Sequence, residues 1–443
     1  MKKYILCLII CLTMLAAVLV TAKAAEIGGG DKNLNLGTNK QAIEKWQDAR
    51  FGLTVCFGPV GLRGTEIGWA RSEQIPKEEY DSLYKEFDPV LFNAKEWVDL
   101  MKNSGFRYLT PVTKHHDGFV MWATKQSDYN IMNTPFHHDW LKEMAEECRR
   151  QGIIFGTHYS SLDWYQFDYS PYGHGGPGFI LNRKPDFDRH VEYMKRELKG
   201  LIQDYGSEII QFDGEWDPTW NHLRGSDMYR YLRSLRDDIV ISSRVDKGRY
   251  GEGTTENYLW WDHDKYAGDY QEREQYVGGL ASYPWESWIT LGEQWAWKAN
   301  DTYKPAERCI RLLVESAGRN GNFNLNVTPM PDGRFEQRQM NILLKIGAWL
   351  KMNGDSIYAT RGGPFEPGQW GASTHRDNRI FLHILNWNEE TLRLHPIDQR
   401  VKSARLLHGG EVKWKQTVSG LDVTVPTGQR DPLDTIVELT IVK

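Results

Sequence analysis

The sequence has no clustered excess of basic residues, and this absence argues against one large class of partners. Lys and Arg number 54 against 59 Asp and Glu, which gives a formal net charge of -5. The basic residues are also spread along the chain, whereas proteins that bind nucleic acids usually carry a concentrated basic patch. We therefore expect no nucleic-acid partner.

Cysteine is also scarce. The chain has 5 Cys, of which Cys7 and Cys11 fall in an N-terminal apolar run. The other three, Cys56, Cys148 and Cys309, are too far apart for a disulfide framework or for a zinc-binding pattern. We therefore expect neither a disulfide-stapled fold nor a cysteine-based zinc site.

Beyond its first residues, the chain has no apolar run long enough to cross a membrane. Lys2 and Lys3 precede an apolar segment at residues 4–20, and a small-x-small triplet follows at residues 22–24. This order is typical of a secretory signal peptide, so we predict a signal peptide at residues 1–24 and a secreted, periplasmic protein. An uncleaved membrane anchor is the alternative, because the run approaches the shortest spanning length.

After a Gly- and Asn-rich stretch at residues 25–41, predicted to be a disordered leader, strand and helix patterns alternate as far as residue 354. A strand begins roughly every 40 residues, which is typical of a parallel sheet with helical crossovers. We predict an α/β fold, a (β/α)₈-like TIM barrel at residues 42–354. The predicted strands are residues 50–57, 108–113, 153–159, 209–213, 239–244, 258–262, 285–291 and 322–327, and the main predicted helices are 93–104, 139–150, 187–205, 227–237 and 334–352.

The composition changes at residue 355. Turn signals, partial alternation and β-branched residues follow, and no helix pattern appears. We predict a C-terminal antiparallel β-sandwich at residues 355–443. Packing on the barrel explains its apolar strands without a ligand, and glycan binding is the alternative.

Asp213 ends the strand around which the barrel is organised, and it precedes Gly214. An acid at the carboxyl end of a barrel strand lies where such enzymes build their active sites, although capping the next helix is the simpler interpretation. Other acids, His and aromatic residues are predicted at the same face: Trp69, His115, His116, Asp117, Tyr159, Asp163, Trp164, Trp216, Arg244, Glu272, Glu274, Glu286, Trp295 and Trp297. With 18 Trp in the chain to stack on sugar faces, this set favours glycoside hydrolysis by two carboxyl groups.

A metal site starting at His115-His116-Asp117 is an alternative to a sugar site. Neighbouring residues of a strand point to opposite faces, so two adjacent His rarely share one ion unless the loop twists. The sequence shows no obvious third ligand. A serine hydrolase is not favoured, because Ser160-Ser161 lacks the small residues of a nucleophile elbow.

Several motifs, in order and spacing, resemble the α-L-fucosidases of glycoside hydrolase family 29. They lie between residues 46 and 358: Phe92-Asn-Ala-Lys-Glu-Trp97, Lys114-His-His-Asp-Gly-Phe119 with Trp122, Tyr159-Ser160 with Asp163-Trp164, Phe212-Asp-Gly214, Trp285-Glu286, and Gly321-Asn322 with Leu325-Asn326. The resemblance implies a (β/α)₈-like barrel with a C-terminal β-sandwich. It also implies a retaining exo-glycosidase that acts on fucosylated glycans or small fucosides and needs no metal or other cofactor.

The same resemblance implies roles for individual residues. Asp213 matches the nucleophile that forms a covalent glycosyl–aspartyl intermediate. Glu274 is the first choice for the acid/base, followed by Glu286 and then Glu272. The residues that match sugar-binding positions are His115, His116, Tyr159, Arg244, Trp69 and Trp295, the last of these facing the fucose methyl.

Two positions depart from the family pattern. The first strand usually ends in His-Trp-Gly, but here it ends in Cys56-Phe57-Gly58, and the usual Trp-Phe-Asp-Gly is Gln211-Phe212-Asp213-Gly214. A thiol is a weak hydrogen-bond partner. These changes leave open a relative with shifted sugar specificity, and a non-catalytic carbohydrate-binding protein is the alternative from another class.

Overall fold

A computed structural model describes residues 38–169, 185–247 and 265–442. The predicted signal peptide, most of the predicted leader and the strand predicted at 258–262 lie outside these residues. The helices are α1 (Lys40–Ala49), α2 (Lys77–Tyr80), α3 (Ala94–Asn103), α4 (Trp140–Gln151), α5 (Phe187–Gln203), α6 (His222–Leu235), α7 (Ala306–Gly318) and α8 (Gln337–Asn353). None of the helices in this part of the chain is both long and apolar enough to cross a membrane.

The strands of the first domain are β1 (Phe51–Val55), β2 (Tyr108–Leu109), β3 (Val112–Lys114), β4 (Ile154–Ser160), β5 (Ile209–Asp213), β6 (Val240–Ile241), β7 (Gln271–Glu274), β8 (Trp285–Thr290) and β9 (Asn322–Val327). They form one parallel sheet in the order β6-β5-β4-β2-β1-β9-β8-β7, with β3 also paired to β4. A parallel bridge between Ser242 and Tyr270 joins its two edges. The sheet therefore closes, and the predicted (β/α)₈-like barrel is confirmed.

The second barrel strand is interrupted, and β2 and β3 are its two pieces. Pro111 lies between them, and proline has no backbone N–H to give to a sheet ladder. Counted as one strand, the pair brings the barrel to its eight positions. The sequence patterns predicted this strand as continuous, because apolar periodicity alone does not show where a ladder breaks.

The barrel interior is layered from apolar to polar. Trp46 of α1 closes the lower end and packs against Tyr270, with ring centroids 4.3 Å apart. On β5 the inward side chains are Ile209, Gln211 and Asp213, whose register partners on β4 are Gly156, His158 and Ser160. Ile210 and Phe212 pack outwards into the helix layer. The alternation of β5 thus places Asp213 at the open, carboxyl end of the barrel.

The second domain carries β10 (Arg361–Gly362), β11 (Gly371–Arg376), β12 (Arg379–Ile384), β13 (Thr391–Leu394), β14 (Val401–Leu406), β15 (Lys413–Thr417), β16 (Gly420–Thr424) and β17 (Thr435–Ile441). They form an antiparallel five-stranded sheet, β10-β11-β12-β17-β14, and a three-stranded sheet, β13-β16-β15. The apolar side chains between the sheets form a separate core. The predicted antiparallel sandwich is confirmed.

The sandwich packs directly on the barrel. A Cβ on Gly318, at the end of α7, would lie 2.3 Å from the Cβ of Ala372 on β11. Arg361 on β10 pairs with Asp48 of α1 at 2.7 Å. This close approach supports a packing role for the sandwich.

Candidate active site

Asp213 is held at the open end of β5 by contacts on both sides of its carboxylate. The backbone N–H of Gly214 donates to Oδ1 at 2.6 Å, and Arg244 donates to the same oxygen through Nη2. Gly214 is required here, because its φ is +93° and a Cβ would lie 1.8 Å from Leu162 Cδ1. The turn after β5 therefore fixes the carboxylate while keeping Oδ2 directed away from Arg244.

Arg244 is buried and binds four carboxylates. Apart from Asp213, its Nε contacts Glu215 at 2.8 Å, and its Nη1 contacts Glu272 at 3.0 Å and Glu274 at 3.5 Å. Burial lowers the pKa of the guanidinium, but the four acids outweigh it and raise that pKa well above its ordinary value. Arg244 is thus charged, and it draws residues from three strand ends into one cluster.

The acids of this cluster differ in pKa. Burial alone would raise the pKa of Asp213, but Arg244 and the nearby His residues outweigh it and hold that pKa far below its ordinary value. For Glu272 burial dominates over Arg244 and raises the pKa to about 8. Asp213 is therefore ionised at neutral pH, as a nucleophile must be, whereas Glu272 is largely protonated.

Three imidazoles face the other oxygen of Asp213. His116 Nε2 lies 3.8 Å from Oδ2, and His158 Nε2 lies 3.9 Å from it. The His115 and His116 rings lie 4.0 Å apart. Burial lowers the pKa of all three, that of His158 to about 3, so they are neutral near pH 7.

Aromatic rings enclose the space above the carboxylate. Trp69 packs at 5.4 Å from His116 and stacks with Trp216 at 5.9 Å. On the other side, Trp288 lies 5.0 Å from His158 and 4.2 Å from Trp295. Such rings provide apolar surfaces for the faces of a sugar, while the neutral His residues offer hydrogen bonds to its hydroxyls.

The loops that carry Trp69 and Trp295 are joined by a half-buried acid, Glu66. Glu66 accepts hydrogen bonds from the backbone N–H groups of Ile67, Trp295 and Ala296, at 2.9–3.2 Å. On the same loop, the Gly68 N–H donates to the Tyr80 hydroxyl at 2.8 Å. The aromatic walls of the pocket are therefore fixed by hydrogen bonds within the protein.

Two of the residues predicted for the site lie elsewhere. Tyr159 points outwards from β4, where Lys114 donates to its hydroxyl at 2.8 Å and the hydroxyl donates to Glu197 at 2.7 Å. Glu286 lies in the barrel interior, where it accepts hydrogen bonds from Tyr108, Gln211 and Asn324. The structure brings the other predicted residues together around Asp213: His115, His116, Arg244, Glu272, Glu274, Trp69 and Trp295.

The two departures from the family pattern have different surroundings. Cys56 follows β1 and is buried, and burial, with Glu66 and then Asp213, raises the pKa of its thiol. Gln211 lies one layer below Asp213, and its Nε2 donates to Glu286 at 3.2 Å. Cys56 is therefore near enough to influence the pocket directly, whereas Gln211 supports the floor beneath it.

Residues at the pocket that sequence reasoning missed include His158, Glu215, Trp288 and Glu66. His158 had a readable signal, because β4 and β5 are adjacent and the alternation that points Asp213 inwards also points His158 inwards and Tyr159 outwards. Glu215 had none, since nothing in Gly214-Glu215-Trp216 indicates a partner 29 residues away.

His115, His116 and Asp213 could also hold a cation. One ligand atom from each lies within 4.8 Å of the others. Both His follow β3 in a turn closed by the hydrogen bond from Gly118 N–H to His115 O, at 3.0 Å. This turn supplies the twist that brings adjacent His side chains to one place, and Asp213 is the third ligand that the sequence did not reveal.

Comparisons with known proteins agree with this geometry. The sequence model of a family described as alpha-L-fucosidase matches residues 30–355. The alpha-L-fucosidase of Branchiostoma floridae is 25% identical over 437 residues, covering 89% of this chain and 91% of the relative. The solved structure of alpha-L-fucosidase isoenzyme 1 from Paenibacillus thiaminolyticus is 31% identical with a TM-score of 0.80, covering 91% of this chain and 99% of that one. A structure of a Bacteroides thetaiotaomicron alpha-L-fucosidase, trapped as a covalent intermediate with 2-fluoro-fucosyl fluoride, is 25% identical with a TM-score of 0.80, covering 91% and 97%.

Proposed function

Because the chain belongs to the alpha-L-fucosidase family, we propose that it hydrolyses terminal α-L-fucosides with retention, through a covalent glycosyl–Asp213 intermediate. The observation that carries the proposal is the state of Asp213. Its carboxylate is buried at the open end of the barrel and is kept ionised by Arg244. Oδ2 faces the pocket, where an anomeric carbon would be attacked.

Glu274 is the acid/base in this proposal, and exposure distinguishes it from the two alternatives. Its side chain is 30% exposed, whereas that of Glu272 is sealed at 0% and Glu286 lies among Tyr108, Gln211 and Asn324. The general acid must reach the leaving oxygen and then activate water. Glu274 meets this requirement, because it is partly exposed at the end of β7 and contacts the guanidinium of Arg244, which also binds Asp213.

Sugar binding is assigned to the residues that surround Oδ2 of Asp213. His115, His116 and His158 offer ring nitrogens to sugar hydroxyls, and Trp69 and Trp295 provide apolar walls. Arg244 supports the sugar pocket from beneath, because its nitrogens already contact the four acids. We include His158 in place of Tyr159, whose hydroxyl lies on the other side of β4.

The domain and cellular assignments belong to the same proposal. We infer a signal peptide at residues 1–24, a catalytic barrel at 42–354 and a sandwich at 355–443, and secretion into the periplasm. The human plasma alpha-L-fucosidase, 26% identical over 381 residues that cover 78% of this chain and 76% of the relative, is a plasma protein by name, which supports secretion but not the compartment.

The test is hydrolysis of an aryl α-L-fucoside by the wild type and by Asp213→Asn. The variant should lose roughly 10⁴-fold or more of kcat, because losses of this order follow removal of a covalent nucleophile. Glu208→Gln is the matched control, since Glu208 is an acid at the opposite end of the same strand. Turnover by Asp213→Asn close to that of Glu208→Gln would contradict the assignment.

A covalent label makes the test independent of turnover rate. Incubation with 2-fluoro-fucosyl fluoride should add one fluorofucosyl group to the peptide that contains Asp213, as detected by mass spectrometry. Asp213→Asn should remain unlabelled, and Glu208→Gln should be labelled like the wild type. A label on Glu272 or Glu274 instead would show that the nucleophile is a different acid of the cluster.

Cys56 favours a second candidate, a retaining glycosidase with a shifted sugar preference. The buried thiol near Asp213 offers only weak hydrogen bonds where the family usually has His. A panel of aryl glycosides distinguishes the candidates: a higher kcat/KM on another sugar than on the fucoside would establish the shift. No turnover of any aryl glycoside or fucosylated glycan, with sugar binding retained, would instead favour a carbohydrate-binding protein.

A further inference from the structure

We propose that the pocket also binds one divalent transition-metal ion, such as Zn²⁺, between His115, His116 and Asp213, and that this ion inhibits the enzyme by occupying the place of the sugar. The inhibition rests on the proposed function, but the binding does not. The ion is a competitor in this proposal and takes no part in hydrolysis.

The first observation is the contact of His116 with Ser160. Its Nδ1 lies 2.7 Å from Ser160 Oγ, and the same Oγ lies 2.9 Å from Leu162 O, to which the hydroxyl can donate. The tautomer in which Ser160 donates to Leu162 O and accepts from Nδ1 leaves the lone pair of the ring on Nε2, as a metal ligand requires. A hydrogen bond of this kind on the far nitrogen also orients a metal-ligating His.

The second observation is that two acceptors face each other. His116 Nε2 lies 3.8 Å from Asp213 Oδ2, and in this tautomer neither atom has a proton to share. A hydroxyl group can bridge them, and so can a cation. Zinc binds nitrogen and oxygen at about 2.0–2.2 Å, so two ligands of one ion can be separated by up to roughly 4 Å. The observed separation fits within that limit without a backbone movement.

His115 supplies the third ligand. The turn after β3 brings its ring to within 4.0 Å of the His116 ring. One ring nitrogen of His115 lies within 4.8 Å of a ring nitrogen of His116 and of a carboxylate oxygen of Asp213.

The surrounding charge favours a cation. Four carboxylates, on Asp213, Glu215, Glu272 and Glu274, share the single guanidinium of Arg244. Two imidazoles and a carboxylate suit zinc or copper and are poor ligands for Mg²⁺, which prefers oxygen.

The experiment titrates the full chain with ZnCl₂ by calorimetry, in a buffer that does not chelate zinc, and follows aryl fucoside hydrolysis in parallel. We expect one Zn²⁺ per chain at this site and competitive inhibition. At a zinc concentration about ten times its Kd, the apparent KM should rise about elevenfold with kcat unchanged, as competition for one site requires. MgCl₂ should have neither effect.

The chain contains a matched control for the ligands. His137-His138-Asp139 repeats the tripeptide His115-His116-Asp117, but His137 and His138 are exposed, and among the described residues they do not belong to the group of possible ligands at Asp213. His115→Gln/His116→Gln should lose the calorimetric site, whereas His137→Gln/His138→Gln should keep it. Thermal unfolding curves confirm that both variants are folded.

A second measurement holds even if the first variant does not fold. Saturating L-fucose should weaken zinc binding to the wild type. Where calorimetry shows that the wild type binds L-fucose, zinc binding that is insensitive to saturating L-fucose would overturn the proposal. Zinc binding that is unchanged in His115→Gln/His116→Gln would overturn it in every case. Since calorimetry needs no turnover, failure of the metal site and failure of the fucosidase assignment give different results.

Discussion

Lys114 and Arg244 are two buried cations that each bind several groups, but only one of the two clusters is closed to water. Lys114 lies between the barrel and α5, where it pairs with Asp163 at 3.1 Å and Glu197 at 3.0 Å, and all three side chains are at most 2% exposed. Arg244 lies inside the barrel mouth with four acids, of which Glu274 is 30% exposed. The first cluster is closed to water, whereas the second opens into the pocket.

The acids of the two clusters also have different partners. Glu197 accepts hydrogen bonds from Tyr159 and Tyr193, at 2.7 and 2.8 Å, as well as from Lys114. Glu272 lies on Arg244, and among the described residues its Oε2 has no hydrogen-bond partner. A fully hydrogen-bonded buried ion pair holds a structure together, while an excess of acids around one cation provides groups whose protonation can change.

The largest effect expected from the difference between the two clusters is the loss of activity in the Glu274→Gln variant. If the open cluster performs the chemistry, kcat on a natural fucoside should fall about 10²–10⁴-fold, which is the usual contribution of a general acid–base group. Glu274→Ala should be rescued by azide on an activated aryl fucoside. Glu272→Gln and Glu286→Gln are the controls, and azide rescue of Glu286→Ala instead would move the acid/base role to the barrel interior.

The next largest effect is on stability, in Lys114→Met. The change leaves Asp163 and Glu197 buried without their cation, which should lower the free energy of unfolding by about 3–5 kcal/mol. Urea unfolding measures it, and Lys195→Met is the control. Lys195 on α5 pairs with the exposed acids Glu192 and Asp227, so its loss should cost about 1 kcal/mol or less. A loss as small as that of the control would show that the closed cluster does not hold the fold.

Glu286 is a buried acid of a third kind. The described groups that donate hydrogen bonds to it, on Tyr108, Gln211 and Asn324, are neutral. Burial raises its pKa from 4.5 to about 7. The folded protein therefore binds a proton that the unfolded chain has released between these values, and the free energy of unfolding falls as pH rises through that window. The 2.5-unit difference corresponds to roughly 3 kcal/mol.

Glu286→Gln removes this titration. Its stability relative to the wild type should therefore increase between about pH 4.5 and 7, as measured by urea unfolding across that range. Glu272 also titrates in this range, because burial, opposed by Arg244 and aided by Glu286, raises its pKa to about 8. The same difference is therefore also measured in a Glu272→Gln background. A difference that is constant with pH would show that Glu286 is ionised in the folded state.

The sequence was sufficient for the architecture and for the position of Asp213 in it, since both depend on local patterns. The apolar run of β5 ends in Asp213-Gly214, and alternation of strand and helix patterns indicates a barrel whose carboxyl end carries that acid. It was not sufficient for β7, because Gln271-Glu-Arg-Glu274 has no apolar period. Glu272 is buried in an ion pair with Arg244, which is distant in sequence.

Tyr159 shows most clearly what the sequence could not predict. Its substitution also has the smallest expected effect of the variants proposed. Its motif resembles a sugar-binding position, but the register of β4 against β5 turns its hydroxyl towards Lys114 and Glu197. Tyr159→Phe should therefore lower the free energy of unfolding by about 1–2 kcal/mol, through the lost hydrogen bonds in the closed cluster. The KM for an aryl fucoside should stay unchanged, whereas His158→Phe should raise it. A raised KM in Tyr159→Phe with unchanged stability would restore the sugar contact predicted from the sequence, and would mean that the two faces of β4 are exchanged relative to the structure.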